Sequence, residues 1–257
     1  MPKVLVIVPF PFEEEGLANR REQLSKVQLN PDFEFHYRPV RGGPANFDSY
    51  HDWLLADLGM LEAGLEAQAE GYDAVCIDTT SDSGMNALRS VLDIPVIAPG
   101  KASYLLAMLL GHRFGVLTQW DPWIHEARKA LIEYGLADHC VGIESINLPP
   151  DMENLLGGKE EVVFPLLLEA AQKLVAKGAD SICLGSTTMH QVVPYLQEHL
   201  PVPVIDPGPL TYKMAELLIG MGLTHSRTAY ARPHTLKPEL IHGMLDAALG
   251  IEGSFKS

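Results

Sequence analysis

The chain has 257 residues and a formal charge of −14, so it has no basic face for a phosphate backbone and nucleic acid is not an expected partner. Hydrophobic residues make up 47% and charged residues 20%, the balance of a globular enzyme. No apolar run reaches the roughly 18 residues of a membrane span, so a cytoplasmic protein with no membrane partner is expected. The three cysteines, Cys76, Cys140 and Cys183, form neither a metal-ligand spacing nor an even disulfide set.

In chain order, an apolar strand over Lys3–Pro9 is followed by a helix around Leu17–Gln28, a strand near Phe33–Val40 and a Gly/Pro turn over Arg41–Asn46. The exposed run Glu13–Glu15 reads as a solvated charge cluster. A helix from Trp53 to Gln68 carries Leu54, Leu55, Leu58, Leu61 and Leu65 at helical spacing and leads into a central strand, Tyr72–Thr79. A short helix Asn86–Val91, a strand Pro95–Ala98 and a helix Ser103–Leu110 complete the first half. The second half repeats the order with strands Arg113–Thr118, Cys140–Ile146, Ser181–Gly185 and Pro203–Asp206, and helices Trp123–Tyr134, Glu160–Lys177, Met189–His199 and Leu210–Leu218. A tail, Met221–Ser257, ends in an amphipathic helix near Pro238–Leu249.

Strands alternating with helices predict parallel βαβ units and an α/β fold. The halves are also copies. Asp73-Ala-Val-Cys-Ile-Asp-Thr-Thr-Ser81 and Ile94–Gly100 return as Ala179–Thr188 and Val202–Gly208; Cys76 and Cys183 are 107 apart, and Gly100 and Gly208 are 108 apart. Two parallel-sheet lobes related by a pseudo-twofold axis are therefore expected, divided as 1–100 with 208–257 and 101–207, with the site in the cleft between them. Both copies end in hydroxyl clusters, Thr79-Thr80-Ser81 and Ser186-Thr187-Thr188, at the strand ends where ligands of open α/β sheets gather. Short hydroxyl side chains beside helix N-termini make an anion cradle suited to a carboxylate or enolate, although the same residues also serve as helix caps.

At these strand ends the sequence resembles the aspartate/glutamate/hydantoin racemase superfamily. The resemblance is carried by Gly71-Tyr-Asp-Ala-Val75, Ser81-Asp-Ser-Gly-Met85 with Ala87-Leu-Arg89, Ile94-Pro-Val-Ile97, Leu110–Thr118, Gly178-Ala-Asp180, Leu184-Gly185 and Pro203-Val-Ile-Asp206. It implies two α/β lobes, a small-molecule site between them, no cofactor and a homo-oligomer; no pair of candidate residues has metal-ligand spacing, so a metal is not expected except through residues distant in sequence. Racemases of the superfamily place a cysteine at the end of each central strand, one on either face of an acidic C–H carbon. The matching positions here are Thr79 and Ser186, and an alcohol is too weak an acid to act as a resting base without a partner. Cys76 and Cys183 precede those positions by three residues and belong to the strand bodies. Arylmalonate decarboxylases share the fold and bind a carboxylate among hydroxyls and backbone N–H groups; Thr80, Ser81, Thr187 and Thr188 match that pocket, and Trp120 falls where that branch keeps a tyrosine. Pro9 and Phe10 resemble its first loop more than the Asn-Pro-Asn of hydantoin racemases.

The missing acid or base is sought in Asp78, Asp82, His190 and His125. Asp82 also reads as an N-cap, and His190 has the right intrinsic pKa at a helix start. His125 lies beside Trp120 and Trp123, which could wall a substrate. Arg227 and Arg232 are either substrate-facing or plain surface charges. The sequence thus points to a cofactor-free enzyme acting on a small carboxylate or ureido/amide compound through an enolate-like intermediate. Thr79, Ser186, His190 and Asp78 are the catalytic candidates; Pro9, Phe10, Thr80, Ser81, Trp120, His125, Thr187 and Thr188 are the substrate-binding ones. Racemisation by a substituted acid/base pair and binding without turnover are the alternatives.

Overall fold

The computed structural model describes residues 1–44, 46–150, 156 and 158–255; Ala45 of the expected Arg41–Asn46 turn and Lys256 and Ser257 of the tail lie outside the described residues. The first sheet comprises β1 (Lys3–Val8), β2 (Glu34–Pro39), β3 (Ala74–Ile77) and β4 (Val96–Ile97), all parallel, in the order β2-β1-β3-β4. The second comprises β5 (Phe114–Thr118), β6 (Cys140–Ser145), β7 (Ser181–Leu184) and β8 (Val204–Ile205), again parallel, in the order β6-β5-β7-β8. The sequence copies therefore become two sheets of one topology. Their central strands are buried almost throughout and mostly apolar because both faces are covered.

Alternation along β1 shows how each face is used. Leu5 and Ile7 pack with Val75 and Ile77 against Met60 and Ala63 of α2 (Tyr50–Gly64) and Leu88 of α3 (Met85–Val91). Val4 and Val6 pack on the other face with Cys76 against Tyr212 and Ala215 of α8 (Pro207–Met221). In the second sheet, Leu117, Ile182 and Leu184 meet Leu167, Ala171 and Leu174 of α6 (Glu160–Ala176) and Leu196 of α7 (Val193–His199). Phe114, Val116 and Cys183 meet Tyr104 and Ala107 of α4 (Pro99–Leu110) and Ala130 of α5 (Pro122–Glu133). Thus α4 leaves the first sheet and covers the second, while α8 leaves the second and covers the first, and the two helices touch each other.

Two expected helices begin differently. The first is α1 (Glu14–Arg21) followed by a 3₁₀ segment, Glu22–Lys26. The Met189–His199 segment opens as 3₁₀ turns over Thr187–Val192 and becomes α-helical only at Val193. Ser186 caps those turns, its hydroxyl accepting from Thr188 N, and Pro194 lies in the first turn of α7, where its missing N–H costs nothing. In the tail, α9 (Pro238–Phe255) packs on α2 through His242 to Glu62 at 2.9 Å and on the loop after β2 through Asp246 to Arg41 at 2.7 Å. Among the described residues, no helix is long and apolar enough to cross a membrane.

Candidate active site

The two hydroxyl clusters adopt one hydrogen-bond pattern. Thr79 Oγ1 lies 3.0 Å from Ser81 Oγ and accepts from Ser81 N, and its counterpart Ser186 Oγ lies 2.8 Å from Thr188 Oγ1 and accepts from Thr188 N. The central hydroxyl of each cluster crosses to the other lobe: Thr80 donates to the Gly185 carbonyl at 2.7 Å, and Thr187 to the Asp78 carbonyl at 3.2 Å. The outer residues thus shape their own turns, while the middle ones clamp the strand ends together.

Between the clamped ends lies a small, partly open cavity. Pro9, Phe10, Asp78, Thr79 and Thr80 contribute to its wall from one side, and Gly185, Ser186, Thr187 and Thr188 from the other. Arg20, Phe47, Trp123 and Glu126 complete it. Phe10, Phe47 and Trp123 belong to one buried aromatic cluster, and Trp123 Nε1 donates to the Phe47 carbonyl at 2.8 Å, which fixes the indole. One end of the cavity is therefore apolar and the other carries hydroxyls and charges.

The charged end is built on α1. Arg20 is 1% exposed, donates from Nη1 to Thr187 Oγ1 at 3.2 Å and lies 3.4 Å from Asp78 Oδ2. Its Nη2 and the Asp78 Oδ2 atom have no hydrogen-bond partner, although both are buried. Gln23 Nε2 donates to Asp78 Oδ1 at 3.3 Å. Burial raises the Asp78 carboxyl above its ordinary range, against the opposing pull of the Arg20 guanidinium, Gln23 and Thr187. Glu126, on the first turns of α5, is half-buried, and its carboxyl is pushed up to about 8 by burial and by the negative charge of Asp82 and Asp57, against Lys129. A buried donor and acceptor left open beside a cavity suit a substrate that carries both polarities, or an anion held by the guanidinium.

Four expected site residues do not reach this wall. Ser81 faces a neighbouring cavity, where its hydroxyl lies 2.8 Å from that of Ser83. Trp120 packs edge-on against Trp123 from outside, 6.2 Å between centroids. His125 projects outward, stacked on Trp53 and hydrogen-bonded through Nε2 to the Tyr50 hydroxyl. His190 is buried with Nδ1 3.3 Å from the Thr187 carbonyl and Nε2 3.7 Å from Glu22, and burial lowers its pKa. Asp82 is a cap, but of α4 rather than of the helix that follows it: its carboxylate accepts from Gly100 N, Lys101 N and the Tyr134 hydroxyl at 2.7, 2.8 and 2.6 Å. Arg227 and Arg232 both bind Asp93. Cys76 and Cys183 are fully buried in β3 and β7; burial pushes the Cys76 thiol up to about 12 and the Cys183 thiol well above its ordinary value.

Arg20 and Glu126 were not singled out in the sequence, yet a faint signal exists. Arg20 follows the buried Leu17 by three residues, and Glu126 follows the buried Trp123 by three, so each lies on the inward stripe of its helix. Among the described residues, no group of three or more His, Cys, Asp or Glu is arranged to hold a metal ion.

A match to the Asp/Glu/Hydantoin racemase family spans residues 17–215, from α1 to the middle of α8. The chain belongs to this family. Within it, the chain is 32% identical to a hydantoin racemase of Rhizobium meliloti over 191 residues, covering 74% of this chain and 78% of that one. The solved allantoin racemase from Klebsiella pneumoniae superposes with a TM-score of 0.81 and 26% identity over 92% of this chain and 95% of its own. A liganded double mutant of arylmalonate decarboxylase shares the fold, with a TM-score of 0.63 and 19% identity over 90% and 97% of the two chains. The chain is thus a member of the racemase superfamily that is similar to hydantoin and allantoin racemases.

Proposed function

We propose that the protein is a cofactor-independent enzyme that moves a proton at a carbon next to a carbonyl, acting on a small carboxylate or a ureido- or amide-bearing compound held between the lobes. The observation that carries this reading is the buried Arg20–Asp78 ion pair at the cavity wall, in which Arg20 Nη2 donates no hydrogen bond and Asp78 Oδ2 accepts none. Arg20 would bind the carbonyl or carboxylate oxygen, and Asp78 would accept an N–H where the compound carries one. As the C–H bond breaks, its proton would pass to a carboxylate of the cavity wall and its electron pair to the carbonyl oxygen, and the guanidinium would stabilise the resulting enolate. The hydroxyls of Thr79 and Ser186 flank the reacting carbon; they orient it, and neither they nor the buried thiols act as bases. Isomerisation, decarboxylation and elimination all fit proton transfer on one face.

Racemisation is the second reading. It is favoured by the pairing of Thr79 and Ser186 in equivalent positions on the same cavity and by the likeness to hydantoin and allantoin racemases. The lobes are proposed to divide as 1–100 with 208–257 and 101–207, in keeping with the exchange of α4 and α8 between the sheets.

The test is incubation in D2O with 5-substituted hydantoins, allantoin, N-carbamoyl amino acids and aryl- or alkylmalonates, followed by NMR and chiral chromatography. Deuterium at the acidic carbon is expected for at least one class. Arg20→Met should abolish it, with a loss on the order of 100-fold in turnover. Equal deuteration and loss of optical activity would select racemisation. Thermal stabilisation by these compounds without exchange in any of them would mean a binding protein and overturn the enzymatic reading.

A further inference from the structure

Glu126 is the cavity's titratable group that no neighbour engages. Asp78 is committed to Arg20 and Gln23, and His190 faces Thr187 and Glu22. Glu126 makes no hydrogen bond or ion pair among the described residues, and it lines two cavities at once. One is the cleft; the other is a polar side cavity whose wall includes Asp57, Ser81, Ser83 and Lys129. A hydroxyl chain runs alongside, from Thr79 in the cleft to Ser81 at 3.0 Å and on to Ser83 at 2.8 Å in the side cavity. Carboxyl and hydroxyl chain therefore connect the same two spaces.

We infer that Glu126 is the acid/base of the reaction and that the side cavity is the route by which it exchanges its proton with solvent. This rests on the reading of the cleft as a proton-transfer site. In the deprotonating direction, a carboxylate oxygen forms an O–H bond as the substrate C–H bond breaks, and the electron pair is delivered to the carbonyl oxygen; in the other direction, the O–H bond breaks and its proton goes to carbon. Nothing is oxidised or reduced. Glu126 is a single carboxyl, so it serves one face of the reacting carbon.

Its surroundings set the pH at which it works. Asp57 of α2 and Asp82 of the β3–α3 loop raise its pKa and Lys129 of α5 lowers it; Glu133 and Tyr134 share the side cavity, and Asp78 and Arg20 face it from across the cleft. With the carboxyl at about 8, a reaction that starts from carboxylate gains rate as pH rises through that value, and one that starts from carboxylic acid loses rate. The direction of the profile therefore separates proton abstraction from protonation of a decarboxylation product.

The experiment compares the full-length protein with Glu126→Gln and Glu126→Asp, using 5-benzylhydantoin and phenylmalonate as probes. Solvent deuterium incorporation is followed against pH, and probe binding through the shift in melting temperature. Glu126→Gln should lower incorporation by about 100-fold or more while retaining the thermal shift, and Glu126→Asp should keep part of the rate. Lys129→Met, on the exposed side, should move the inflection to higher pH. A carbon-13 NMR titration of the glutamate carboxyls, which needs no substrate, should show one high inflection that Glu126→Gln removes. Incorporation by Glu126→Gln within threefold of wild type would overturn the assignment and leave the proton-transfer reading intact. A wild type silent on both probes and on allantoin and N-carbamoyl amino acids would remove that reading and Glu126's catalytic role together.

Discussion

At the scale of single residues, the cavity wall carries hydroxyls at Thr79 and Ser186, while the two thiols of the central strands lie buried in the strand bodies. A thiol is a usable base only as thiolate, and burial keeps Cys76 and Cys183 protonated, with their Sγ atoms 3.5 and 3.6 Å from the carbonyls of Thr211 and Ser103. Iodoacetamide should therefore leave both unmodified in the native protein, as read by peptide mass spectrometry. Thr79→Cys, whose side chain would face the cavity, should be alkylated faster by about 10-fold or more; equal labelling of Cys76 would contradict its burial.

At the scale of elements, the helices α4 and α8 depend on how their first turns are held. The α4 terminus is anchored by Asp82, which adopts a left-handed backbone (φ 54°) to bring its carboxylate under Gly100 and Lys101. Gly100 is required there because a Cβ would lie 2.5 Å from the Thr80 carbonyl oxygen. Asp82→Ala removes an acceptor serving three donors, so a loss of about 2–3 kcal/mol is expected in urea denaturation, with the Tyr134 hydroxyl left unpaired. A loss below about 0.5 kcal/mol would mean that water replaces the carboxylate without penalty.

At the scale of the whole molecule, the lobes are joined by the exchanged helices and by the reciprocal Thr80 and Thr187 bonds. The two helices also begin beside buried carboxyls. Asp82 is pushed up to about 6 and Asp206, at the start of α8, to about 7, burial being the chief cause in both. A carboxyl whose folded pKa exceeds its unfolded value contributes stability that is complete below the unfolded pKa and is lost as pH rises through the folded one. Calorimetry should therefore show the melting temperature falling as pH rises from about 4 to about 7, and Asp206→Asn should flatten part of that fall. His190, held neutral by burial, acts in the opposite sense only as pH drops below its unfolded range. A pH-independent melting temperature across that interval would show that these carboxyls are not protonated on folding.

The sequence by itself determined the architecture and one half of the site. Apolar runs of strand length alternating with helical periodicity dictate parallel βαβ units, and the repeat at a spacing of 107–108 dictates two sheets of one strand order with hydroxyl clusters at equivalent ends. Those signals are local, since each depends on the polarity of neighbours along the chain. What only the tertiary structure decided is which side chains from elsewhere meet those ends. Arg20 and Glu126 come from helices whose rotational phase, fixed by packing, turns two ordinary surface residue types inward. The same packing turns His125 toward Tyr50 and seals His190 behind Thr187, although both lie close in sequence to the cleft. Side-chain direction is set by contacts between distant segments, and sequence proximity to a strand end does not encode it.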